Sequence, residues 1–148
     1  MSWIEQPIFF VDFEGSRPSG ILEFGVVEVL GGKIGSTHTR LCRPLGRIRP
    51  EDTAVHGLQA DSLEAQAPFA DDWEYFAGLR ERGPLAAVRC PPERRRYHAA
   101  LYDALAGALL LASLAREPKI AALTTMQLLA LSTLDGGKRD ALQQRELF

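Results

Sequence analysis

The sequence predicts an α/β domain built on a three-stranded antiparallel meander, with helices and one further strand following it. Two observations carry that expectation. Ile21 to Leu30 alternates apolar and polar residues, is rich in β-branched side chains, and ends in Gly31-Gly32, a hairpin signal before the extended run Lys33 to Cys42. Further on, "ADDWEYFAGLRER" at 70–82 and the Ala/Leu-rich stretch Tyr97 to Ala115 read as helices.

Taken in order, Ile8 to Val11 is a short apolar run suited to a buried strand, and Gly15, Pro18 and Gly20 break it. Ile21–Leu30 and Lys33–Cys42 are the second and third strands, joined by short turns that favour antiparallel pairing. Pro44 to Pro50 is a loop, and "EDTAVHGL" at 51–58 opens a short helix with Asp52 or Thr53 as its cap. In the 70–82 helix, Trp73, Phe76 and Leu79 share one side and acids fill the first turn. Pro84 to Val88 is the fourth strand, Tyr97 to Ala115 a long helix, and Leu123 to Thr133 the last one. Residues 1–135 therefore form one domain, and 136–148, opening on Gly136-Gly137, a flexible tail.

At 148 residues, 46% hydrophobic and 24% charged, the chain can bury a core, and the disordered and fibrous classes are excluded. A net charge of −2 gives no bulk basic field. Arginines do cluster at Arg80, Arg82, Arg89 and Arg94 to Arg96, as a solvated loop or a phosphate-facing rim. Cys42 and Cys90 are too few for a disulfide framework and show no metal-ligand spacing, so reduced thiols and a cytoplasmic location are expected. Neither a signal peptide nor a membrane-spanning run is expected.

Asp12 and Glu14 raise the chemical question, because they end an apolar strand with Phe13 between them. Side chains alternate along a strand, so the two carboxylates share a face. Burying a carboxylate costs several kcal/mol unless it is paired or binds a cation. No Lys or Arg precedes Arg17 here, which makes a divalent ion such as Mg²⁺ or Mn²⁺ a natural partner. Asp103 poses the same problem on a helix apolar nearly all round, and His98 precedes it by five residues. The two converge if His98 sits in the irregular first turn.

In order along the chain, "FVDFE", "AVHGL" and "YHAALYDA" resemble motifs of the DEDDh 3'-5' exonucleases, the family that includes ribonuclease T and the proofreading subunit of bacterial DNA polymerase III. The resemblance covers roughly residues 7 to 115. It implies a ribonuclease H-like mixed sheet, shortened relative to the family, whose later strand runs parallel to the first. It also implies a two-metal hydrolysis of phosphodiester bonds at the 3' end of DNA or RNA. Carried over, Asp12 bridges both Mg²⁺ or Mn²⁺ ions, Glu14 and Asp103 complete one of them, and His98 is the general base. Phe13 and His56 line the pocket for the terminal nucleotide.

The chain departs from the family between "GPLAAV" and "RCPPERRRYH", where the helix carrying a fourth carboxylate is expected. Glu93, a partner chain, or a segment omitted from the sequence are the three ways that ligand could be supplied. A nonenzymatic alternative follows: an impaired exonuclease fold that binds nucleic-acid ends, or the sliding clamp, without cleavage. The last residues, Gln144 to Phe148, resemble the clamp-docking pentapeptide of bacterial polymerases, with Gln144, Leu147 and Phe148 as its anchors. The exposed edge of a shortened sheet points to a homodimer.

Overall fold

The first strand runs well past its apolar stretch. In the computed structural model, which describes residues 1–87 and 99–130, β1 spans Ile8–Ser16 and carries Asp12 and Glu14 inside the strand instead of at its end. Pairing explains the extension. β2 (Gly20–Leu30) is hydrogen-bonded antiparallel along the whole of β1, with Phe10 opposite Val27 and Glu14 opposite Glu23, and the register shifts at Glu14/Gly15, where β2 carries one extra residue. Ladder bonds hold the polar half of β1 extended although its sequence looks like a break.

β2 continues into β3 (Lys33–Leu41) through Gly31-Gly32, whose φ values of 62° and 70° are those a tight two-residue hairpin turn requires. β4 (Leu85–Ala87) lies parallel to β1, with Phe9 opposite Leu85, giving the sheet order β3-β2-β1-β4. The meander and the parallel fourth strand are those expected from the sequence.

Alternation along β1 divides the two faces. Ile8, with Val27 and Val29, packs on α4 (Ala100–Leu114) through Ala104, Ala108 and Leu111. Phe9 and Val11, with Phe24 and Val26, pack on α3 (Trp73–Arg82) through Leu79 and Phe76. Burying each such large side chain contributes about 1.5–3 kcal/mol. The small buried residues Ala100, Ala104 and Ala108 let α4 lie close on the sheet. Two ion pairs hold the other face. Arg82 Nη2 donates to Glu28 Oε1 at 2.5 Å, and Arg40 Nε donates to Asp72 at 2.9 and 3.1 Å.

Several helices differ from the sequence reading. Trp73 is 74% exposed, so the apolar side of α3 is Phe76 and Leu79 without it, and the 70–82 segment begins as a 3-10 turn at Phe69–Asp72. α1 (Pro50–His56) starts on Pro50 after Arg49, and Asp52, expected as the cap, instead takes two hydrogen bonds from the Arg49 guanidinium. α2 (Ala60–Leu63) and the 3-10 turn Trp3–Glu5 leave no periodic signal because each is about one turn long. α5 (Pro118–Ala121) is a further one-turn helix that the sequence reading left out, and within the expected last helix, Leu123 to Thr133, the described residues are helical over 125–130. Buried Trp3 ties the chain start to α5, its ring N–H donating to the Ile120 carbonyl at 2.8 Å.

Candidate metal centre

Asp12, Glu14 and Asp103 come together at one end of the sheet. One oxygen of each lies within 4.8 Å of the others; Asp12 is buried at 8% exposure, and Glu14 and Asp103 are half-buried. Two devices create the cluster. Alternation turns both β1 carboxylates toward α4, and the first turn of α4 presents Asp103 to them.

That close approach depends on Gly25, which pairs with Asp12 across the β1–β2 ladder. A Cβ on Gly25 would stand 2.3 Å from the Leu101 nitrogen and 2.5 Å from the Ala100 carbonyl carbon, so the backbone of α4 occupies the space a side chain would need. Next to it stands Glu23, directly opposite Glu14. Its Oε2 accepts the Ala100 N–H at 3.3 Å, and Thr39 Oγ1 donates to Oε1 at 3.5 Å. Burial pushes the Glu23 carboxyl above the usual carboxylate range, against the lowering effect of these two hydrogen bonds. The sequence reading passed over both residues, since it takes the β1–β2 register to place them beside Asp12 and Glu14.

Phe13 points to the face opposite the carboxylates, 42% exposed, with its ring edge-on to Phe69 at 5.7 Å and tilted against Phe76 at 5.9 Å. It still reaches the end of the sheet. A cavity of about 370 Å³ there is lined by Phe13, Glu14, Gly15, Ser16, Arg17, Gly20 and Ile21.

His56 closes α1 and is not part of the carboxylate cluster. Its Nδ1 accepts the Leu58 N–H at 3.1 Å, and its Nε2 is buried with no hydrogen bond among the described residues. Burial pushes its pKa below the ordinary value, with Asp52 opposing, and this favours the neutral imidazole. His98, Glu93, Cys90, the arginines 89 and 94–96, and Gln144, Leu147 and Phe148 lie outside the described residues. Among those described, Cys42 is a free, buried thiol, and no helix is long and apolar enough to cross a membrane.

No family model matches the chain, and no curated protein matches it. Among solved structures it is similar to Exonuclease X in complex with 5' overhanging duplex DNA, with a TM-score of 0.58 and 20% identity, covering 78% of this chain and 95% of that one. Two structures of a 3'-exonuclease also match: the full-length protein, and the one described as 3'-end specific recognition of histone mRNA stem-loop. Their TM-scores are 0.46 and 0.47 at 20% identity, and this chain spans 47% of the length of each. The chain thus has the ribonuclease H-like architecture, a mixed sheet flanked by helices, and its structural neighbours are exonucleases.

Proposed function

We propose that this chain is a metal-dependent 3'-5' exonuclease acting on the 3' end of DNA or RNA. The observation that carries the proposal is the gathering of Asp12, Glu14 and Asp103 from two separate elements into one group of oxygen donors. Hard carboxylate oxygens, one of them on a buried residue, fit Mg²⁺ or Mn²⁺ in preference to a thiophilic ion. When bound, such ions supply a polarised water and neutralise charge on a phosphodiester.

The chain's own residues then have distinct tasks. Asp12, Glu14 and Asp103 would hold the metal, and the DEDDh resemblance favours two ions. Arg17, lining the cavity beside Glu14, offers a guanidinium to a phosphate, and the exposed Phe13 ring offers a face to a terminal base. His56, held neutral, is proposed to contact the terminal nucleotide. His98 is proposed as the general base that takes the proton of the attacking water, as the resemblance of "YHAALYDA" to the closing DEDDh motif implies.

Release of nucleotides from a 3'-labelled single-stranded oligonucleotide in Mn²⁺ tests the reading. Wild type should release label, and Asp12→Ala should lower the rate at least about 100-fold. Mn²⁺ at 100 times its Kd should stabilise the wild type by about 2.7 kcal/mol, a rise of about 5–10 °C in Tm, which Asp12→Ala abolishes. Absence of release with the metal-induced rise retained would replace the enzyme by a binding module. Absence of both would refute the metal centre.

A further inference from the structure

An α-helix leaves its first N–H groups without partners inside the helix, and a polar side chain at the N-cap normally accepts one of them. α4 lacks that device. Its N-cap is Ala99, in extended conformation (φ −100°, ψ 127°), with no side chain able to accept. The acceptor comes instead from another element. Glu23 Oε2 on β2 takes the Ala100 N–H at 3.3 Å, while Thr39 on β3 faces its other oxygen.

We infer that Glu23 is a positioning residue of the carboxylate cluster, a remote cap that seats the first turn of α4, and with it Asp103, against Asp12 and Glu14. The inference rests on the metal-centre reading. Glu23 lies opposite Glu14 in the strand register, so the residue gripping the helix and a residue of the cluster are cross-strand neighbours. Gly25, two residues on, removes the steric obstacle to the same contact. Asp103 follows Ala100 by three residues, close to one helical turn, so any lift of the helix start carries Asp103 away from β1. Glu23 itself stands outside the 4.8 Å donor group, which separates its role from ligation.

The test measures Mn²⁺ affinity by calorimetry on the full chain for wild type, Asp12→Ala, Glu23→Gln, Glu23→Ala and the double variant Glu23→Ala/Ala99→Ser. Glu23→Gln keeps an oxygen acceptor and should bind within about threefold of wild type, whereas Glu23→Ala should bind about 10-fold or more weakly. Ala99→Ser supplies a local cap and should restore most of the loss; it also gives a variant to assay should Glu23→Ala alone not fold. Wild-type affinity in Glu23→Ala would overturn the inference and leave the metal centre standing. An equal loss in Glu23→Gln, with no restoration by Ala99→Ser, would also overturn it, because the charge and not the cap would then matter. Mn²⁺ binding that is absent in wild type, or unaffected by Asp12→Ala, would remove the metal centre and this role together.

Discussion

Gly25→Ala adds one methyl group where the β2 backbone meets the start of α4. The new Cβ would stand 2.3 Å from the Leu101 nitrogen, and ordinary van der Waals contact begins near 3.4 Å, so the helix must retreat by about 1 Å. Those contacts are all with backbone, so no flexible side chain can give way. Overpacking of this kind costs about 1–3 kcal/mol, a loss of about 2–12 °C in Tm for a chain of this size. The functional loss should be greater in proportion. Asp103 rides on the displaced turn, and a 1 Å misplacement of a reacting group costs on the order of 100-fold. The assays are thermal melting with and without Mn²⁺ and nucleotide release at saturating metal. Gly25→Ala should still melt cooperatively yet lose most of its metal-induced rise. A variant with wild-type metal response and release would refute the claim that the α4–β2 approach builds the site.

Two further outcomes follow from other parts of the molecule. On the far face, the Ser36 hydroxyl, then the Ser36 amide and Arg82, favour the ionised Glu28 carboxylate and hold its pKa below the ordinary 4.5. A lowered pKa means that the stability this contributes is present above pH 4.5 and lost as pH falls through the folded value. Glu28→Gln should therefore flatten the acid limb of the stability curve below pH 4.5 and cost about 1–2 kcal/mol at neutral pH; an unchanged acid limb would refute the role of this pair. For the proposed clamp contact, deletion of Leu147 and Phe148 should weaken binding to a bacterial sliding clamp at least about 10-fold, measured by surface plasmon resonance. Unchanged affinity would dispose of it.

Local pattern alone determined much of this protein. The alternation of Ile21 to Leu30 and the Gly31-Gly32 turn depend on contacts a few residues apart and stand where the sequence places them, and the Ala/Leu-rich helix expected over Tyr97 to Ala115 forms over Ala100–Leu114 after an extended Ala99. The same-face relation of Asp12 and Glu14 also needs nothing beyond the two-residue period of a strand. Pairing decided what pattern could not. β1 continues through Glu14 because β2 supplies its hydrogen bonds, and a glycine-bearing stretch that reads as a break becomes the wall of the site. Trp73 faces water although it lies on the apolar side of its helix in the sequence, because α3 meets the sheet through Phe76 and Leu79. Glu23 and Gly25 gain their significance only when the β1–β2 register sets them beside Glu14 and Asp12 and α4 descends on them, a meeting of residues some 75 positions apart. Composition and spacing name the candidate groups; packing between distant segments sets the distances between them.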